Sequence, residues 1–342
     1  MKKQINFGVG IPTGTEGLMY PVPFAKARDN IRISVEAEKQ GYDSVWGNDH
    51  VSTQHYVRGE FEQPPNYFSP LLTLAAIAEN TTTLRLATAL LVVPFRNPVM
   101  IAKELATLDQ LSNGRVIAGV GLGAYREEFV SMFGEKAKEM HRGTMIDESL
   151  YILNRIFKEE VVSYQGKYFD VKEVQSYPRP VQNPFPFYIG GNAANGLLRT
   201  AKYGQGWLPA VLSVDEIRAG VEEITKYCNE LGRNPEEIDI APQFAISIGR
   251  THEEAVEQFE RTQLHKHLVS LKKSTLKNQQ TGGFEERNLI GTPDEVGERI
   301  KQYIDAGVTT FSALLFADNT VDEMIESMQF FSEEVMSKFI SR

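Results

Sequence analysis

Three clusters in this chain have residue types and spacing that can do chemistry. The first is Trp46-Gly47-Asn48-Asp49-His50, a short apolar stretch ending in a carboxylate beside an imidazole. A carboxylate there can orient the imidazole or a cofactor edge, and His is the side chain that titrates nearest neutrality. By position alone Asp49 can equally cap a turn, with His50 a partly buried loop residue. The second, Gly119-Val120-Gly121-Leu122-Gly123-Ala124, formally fits the dinucleotide pattern G-x-G-x-x-G/A. That reading needs a second strand ending in an acidic residue about 20 positions on, whereas residues 136–157 read as a charged amphipathic helix. The glycines are better explained as letting a ligand ring approach the backbone. The third, Tyr188-Ile189-Gly190-Gly191-Asn192, runs into a helix pattern over 193–203. A Gly-Gly turn at a helix N-terminus offers free N–H groups and a favourable dipole to a phosphate, although Gly-Gly is also a common turn.

Other chemistries lack their signatures: there is no G-x-S-x-G, no G-x-x-x-x-G-K-[ST] and no H-E-x-x-H. His265 and His267 lie two apart on a helix pattern, so their rings diverge and no metal site is expected. The single cysteine, Cys228, cannot make an internal disulfide and is expected to be packed, which fits a reducing compartment. Thirty-six basic against 45 acidic residues, a net charge of −9, disfavour nucleic acid as a partner. The longest apolar run, 89–95, is too short to span a bilayer, and the N-terminus lacks the apolar region of a signal peptide. A cytoplasmic protein is expected.

Short β-branched or apolar runs alternate with longer amphipathic segments along the chain, the pattern of parallel strands joined by crossover helices. Strands are predicted at 5–11, 43–47, 84–93, 115–120, 185–189, 206–210, 238–248 and 309–316. Ser213 with Glu216, Thr251 with Glu254 and Thr292 with Glu295 match the capping box, and Pro98 and Pro293 suit a first helical position. Eight strands fit an open doubly wound sheet as well as a (β/α)8 barrel. Three segments break the alternation. Residues 51–68 and 272–289 read as lids, and 161–181 reads as an inserted β-hairpin turning at Gln165-Gly166. In the first lid Tyr56, Phe61, Tyr67 and Phe68 can line a cavity; singly, each is better read as packing the loop onto the rim.

Taken together, Arg96-Asn97-Pro98, Leu108-Asp109-Gln110-Leu111-Ser112-Asn113-Gly114-Arg115, the Gly119 to Gly123 run, Ile189-Gly190-Gly191-Asn192 and Gly206-Trp207 carry a resemblance. The chain resembles the bacterial-luciferase-like flavin-dependent monooxygenases over nearly its whole length. The resemblance implies one α/β domain over 1–342, a (β/α)8 TIM barrel with inserted loops and a β-hairpin. It implies FMN held near Asp49, Ala89, Gly121, Leu122, Gly123 and Tyr125, with phosphate around Gly190, Gly191 and Asn192 and with Trp207 in the same cofactor set. It further implies reduced FMN from a separate flavin reductase, O2 and a small organic substrate, His50 as catalytic residue, and Glu127 or Glu128 shaping the site. Alternative implications are hydride transfer with a deazaflavin, or a non-catalytic flavin-binding relative. Homodimers occur among relatives, and no apolar stripe here singles out a dimer face. The chain departs from the pattern at Leu122, where the luciferase catalytic subunit has a phosphate-binding Arg. It departs also at Ala124, where relatives carry Trp or a catalytic acid, and at Gln205, which replaces a common Asp.

Overall fold

The computed structural model describes residues 4–271 and 283–340. The chain runs β1 (Asn6–Ile11), α1 (Ala27–Lys39), β2 (Ser44–Gly47), α2 (His55–Glu60), α3 (Pro70–Asn80), β3 (Arg85–Thr88), β4 (Leu91–Val92), α4 (Pro98–Leu111) and β5 (Val116–Gly121). It continues through α5 (Arg126–Phe133), α6 (Arg142–Ile156), β6 (Val162–Gln165), β7 (Asp170–Val174), β8 (Phe187–Gly190), α7 (Ala194–Tyr203), β9 (Gly206–Leu208) and α8 (Val214–Glu230). The last part holds β10 (Asp239–Ile240), β11 (Gln243–Ile248), α9 (His252–Glu260), α10 (Gln263–Leu271), β12 (Leu289–Gly291), α11 (Pro293–Asp305), β13 (Thr310–Phe316) and α12 (Val321–Glu334).

The main sheet has the order β10-β9-β8-β5-β3-β2-β1-β13-β11-β12, all of its pairings parallel, with β4 paired to β5. It is a curled α/β sheet. Strands β10 and β11 are two halves of one run, 239–248, whose first half pairs with β9 and whose second half pairs with β13. Between them Pro242 has no N–H to give a ladder, which suits the point where the partner changes. The Gln243 N–H donates to Pro209 O and the Ser312 N–H to Pro242 O, so this run bridges β9 and β13.

Several features differ from the sequence expectation. Residues 84–93 are two strands, β3 and β4, because the chain bends at Ala89-Leu90, whose peptide is cis. Strand β12 begins at the last residue of the stretch read as the second lid and is not among the predicted strands; three residues are too few for a periodic signal. Of that lid, residues 272–282 lie outside the described residues. Strands β6 and β7 form an antiparallel pair whose turn is wider than two residues: Gly166 N–H donates to Phe169 O, and the turn wraps the Glu148 carboxylate, which accepts from the N–H groups of Lys167, Tyr168 and Phe169. Ser213 and Thr292 make complete capping boxes, whereas at Thr251 the Glu254 carboxylate instead accepts the Arg250 N–H.

Apolar side chains fill two layers. Inside the curl, Trp46, Ala87, Ile117, Tyr188, Leu208, Ala241 and Ala313 pack together, each from a different part of the sheet. Strand β1 contributes Gly8, where a Cβ would lie 2.3 Å from both Trp46 Nε1 and Ser44 Oγ. The indole therefore occupies the space a β1 side chain would take. Outside the curl a larger layer, including Phe7, Leu74, Leu105, Leu150, Phe187 and Trp207, joins sheet to helices. Among the described residues no helix is long and apolar enough to cross a membrane.

The Leu108 to Arg115 stretch sits at the N-terminal end of β5. Asn113 (φ 54°) and Gly114 (φ 81°) take the left-handed turn that ends α4. The Arg115 guanidinium then donates to the carbonyls of Ala78, Thr81, Leu84 and Ser112, and buried Asp109 accepts from Gln182. The stretch is an architectural clamp. Gly8→Ala is expected to lower the unfolding free energy by about 1–3 kcal/mol through overpacking against Trp46. In the same urea titration Gly59→Ala, in open space on α2, should be neutral or stabilising.

Candidate active site

The C-terminal ends of the parallel strands surround a cavity of about 390 Å³. Its walls are Asn48, Asp49 and His50 after β2, Ala89, Leu90 and Val92 around the bend, Leu122 to Tyr125 after β5, and Gly190 and Gly191 at the end of β8. Leu18 and Met19, Gln243 of β11 and His267 of α10 complete it. Apart from Asp49 and the two histidines the lining is apolar or neutral. A larger groove between α8 and α11, about 800 Å³, lies at the other end of the strands and has mostly aliphatic walls. Its size exceeds that of the cavity, yet it gathers no comparable set of polar groups.

His50 is placed by helix α5. Its Nδ1 lies 3.0 Å from Oε2 of Glu128, a carboxylate only 2% exposed. The other Glu128 oxygen accepts the N–H groups of Val51 (2.9 Å) and Ser52 (3.4 Å), so one buried acid holds the ring and the backbone that follows it. A carboxylate can only accept, which puts the proton on Nδ1 and leaves Nε2 with no partner among the described residues. The Gln54 amide nitrogen is also 3.2 Å from Nδ1, and its oxygen accepts the Tyr67 hydroxyl at 2.7 Å. Glu127, by contrast, faces solvent and pairs with His55 at 2.7 Å. Of the two acids, Glu128 is the one at the site.

A second polar contact joins α2, in the first lid, to α10. Tyr56 Oη lies 3.1 Å from His267 Nδ1. Burial pushes the Tyr125 and Tyr67 hydroxyls well above the ordinary phenol range and Tyr56 up to about 12, so all three stay protonated. Burial, helped by His50, lowers His267 to about 4, so that ring is a neutral acceptor near pH 7. His265 packs instead against Phe259 and Phe284, so the two histidines have separate neighbours.

Among the predicted site residues, Asp49, His50, Ala89, Leu122, Gly123, Tyr125, Gly190 and Gly191 all line the cavity. Several have other employment. The Asp49 carboxylate is held by both Arg96 guanidinium nitrogens (2.5 and 2.9 Å) and the Val92 N–H, which ties β2 to β4. Gly121 is not among the lining residues: a Cβ there would lie 2.3 Å from Leu90 Cδ1, so the notch belongs to Leu90 and not to a ligand ring. Trp207 is fully buried against Gly220 of α8 and cannot touch a ligand in the cavity; its indole N–H donates to Gly191 O at 2.9 Å and so holds that loop. The Asn192 side chain bonds to the backbone of Ala210 through both ends, which leaves any anion there to backbone N–H groups. Helix α7 has no side-chain cap, and Gly191 (φ 122°) leaves open space in front of the turn.

Phe61 packs on Gly17, while Tyr56 and Tyr67 enter the polar network. Sequence reasoning missed Gln54, Leu90, Gln243 and Arg142. Arg142 donates to Gly123 O at 2.6 Å from the first turn of α6, next to α7, whose Arg199 pairs with Asp147. It places a cation beside the β5 loop. No local pattern marks it, because helix packing brings it 19 residues back to Gly123.

The model of the luciferase-like monooxygenase family matches residues 5–310. Among characterised relatives, an F420-dependent glucose-6-phosphate dehydrogenase of Amycolatopsis mediterranei is 29% identical over 332 residues, covering 91% of this chain and 94% of that protein. Among solved structures, an F420-dependent secondary alcohol dehydrogenase in complex with an F420-acetone adduct superposes with a TM-score of 0.79 at 21% identity, covering 98% of this chain and 99% of the other. The oxygenating constituent of 3,6-diketocamphane monooxygenase from Pseudomonas putida, in complex with FMN, gives 0.77 at 21% identity, covering 99% and 100%. With a family model spanning most of its length and the same fold in these neighbours, this chain belongs to the luciferase-like monooxygenase family of oxidoreductases.

Proposed function

We propose that this protein is a deazaflavin-dependent oxidoreductase that interconverts a small, uncharged alcohol and its carbonyl compound, working on a (β/α)8 barrel. The observation that carries the cofactor is near-full-length similarity to F420-dependent dehydrogenases, which displaces the reduced-FMN monooxygenase from first place. The substrate class is suggested by the cavity wall, which among the described residues includes no Lys or Arg. A phosphorylated sugar needs such cations.

The residues present suit the cofactor. The glycine turn at Gly191 and the uncapped α7 would hold its phosphate, with Arg142 behind the β5 loop adding positive charge, and Ala89 leaves its part of the wall free of bulk. When bound, a deazaflavin supplies two-electron hydride chemistry. What the chain contributes is proton management and exclusion of water. His50 Nε2 takes the hydroxyl proton of the alcohol, or returns it to the carbonyl oxygen, while Glu128 stabilises the imidazolium from Nδ1. Tyr56 and His267 tie the first lid to α10 at the cavity. The second reading, reduced-FMN oxygenation, is supported by the family model and by monooxygenase neighbours such as the FMN-bound one.

Anaerobic reduction of F420 by 2-propanol, followed by its absorbance, tests the proposal; oxygen uptake with reduced FMN in place of that reaction would overturn it. Turnover of glucose 6-phosphate at a comparable rate would overturn the uncharged substrate class. His50→Asn should lower kcat by about 10²–10⁴-fold, with the cofactor dissociation constant nearly unchanged. Glu128→Gln keeps the shape and removes the charge, so kcat should fall about 10–100-fold with little change in KM. Unchanged kcat in either variant would remove the His50–Glu128 pair from the mechanism.

A further inference from the structure

The cavity at the strand ends holds polar groups that proton transfer through His50 does not use. Two others in its wall are already committed: Asn48 Oδ1 accepts the Gly14 N–H at 3.1 Å, and Asp49 is held by Arg96. The Tyr125 ring lies against that of His50, centroids 5.7 Å apart. Gln243 and His267 differ. The Gln243 backbone is fixed on both sides, its N–H donating to Pro209 O at 3.1 Å and its register pairing it with Ser312 of β13. Its side-chain amide nevertheless has no hydrogen-bond partner among the described residues, and the residue is half-buried, so the amide reaches solvent through the cavity it lines. His267 takes the Tyr56 hydroxyl on Nδ1, which places the ring proton on Nε2. That N–H is also without a partner among the described residues, on a ring that forms part of the same wall.

We propose that Gln243 and His267 read a second hydroxyl group on the substrate, which is therefore a neutral diol oxidised at one carbon to a hydroxy ketone. The inference rests on the alcohol–carbonyl reading of the site and narrows it. A hydroxyl both donates and accepts, and so does a carboxamide: Gln243 Oε1 accepts the hydroxyl proton while its Nε2, or His267 Nε2–H, donates to the oxygen. The secondary carbon loses a hydride to the oxidised deazaflavin, its own hydroxyl proton goes to His50 Nε2, and the second hydroxyl leaves unchanged. A simple alcohol would exclude water from these two groups and offer them nothing in return, which is how a polar site rejects an analogue lacking the group it was built for.

Two matched pairs test this by anaerobic reduction of F420: 1,2-propanediol against 2-propanol, and 1,3-butanediol against 2-butanol, each pair differing by one hydroxyl. In at least one pair kcat/KM should be about ten-fold or more higher for the diol, and in Gln243→Leu that ratio should fall about ten-fold. Saturation-transfer NMR of the full chain with hydroxyacetone and acetone together reads the contact without turnover and should favour hydroxyacetone, a preference that Gln243→Leu loses. Equal kcat/KM within both pairs would overturn the second hydroxyl contact and leave the alcohol reading standing, and it needs no variant to fold. An undiminished diol preference in a folded Gln243→Leu, or equal saturation of the two ketones, would overturn it as well. No reduction of F420 by any of the four alcohols would overturn both.

Discussion

Everything at the candidate site depends on all of the main strands pointing the same way. Parallel pairing sends each strand's C-terminal end to one face, and the curl of the sheet gathers those ends around a common space. The run 239–248 makes the gathering tight by pairing with β9 on one half and β13 on the other. Inside, Trp46 takes the volume that β1 leaves vacant at Gly8, so the floor beneath the cavity is solid. Residues far apart in sequence, such as Asn48, Gly123, Gly191 and Gln243, become neighbours as a result.

On that frame a few buried ionic groups fix the local geometry. Asp49 spends its charge on Arg96 and the β4 backbone, and Glu128 spends its own on His50 and the two residues after it. The adjacent residues Asp49 and His50 thus have different jobs, one architectural and one facing the cavity with a free ring nitrogen. The same division separates Gly191, at the cavity, from Trp207, which holds it from behind.

Much of this was legible in the sequence, for identifiable reasons. Strand positions follow from short apolar runs, and a strand's end names its residues for the mouth, which is why His50, Gly123 and Gly191 were found. The bend at Ala89-Leu90 left no mark because both flanking pieces have strand composition. Gly121 and Trp207 were misassigned since a glycine or a tryptophan near a site reads alike whether it faces a ligand or a packed neighbour. Glu128 could be narrowed only to a pair, and Arg142 and the Tyr56–His267 contact depend on tertiary packing, the latter across 211 positions. The longest motif, around Asp109 and Arg115, proved to clamp the far end of the strands, so its specificity reports on architecture.

The Tyr56–His267 bond links α2 to α10, two helices that share no other hydrogen bond among the described residues. A neutral hydrogen bond of this kind contributes only about 0.5–1.5 kcal/mol net, small enough for thermal motion to break it often. Because neither partner changes protonation near neutrality, its strength is the same across the physiological range. The link between α2 and the cavity-lining His267 is thus weak, reversible and indifferent to acidity.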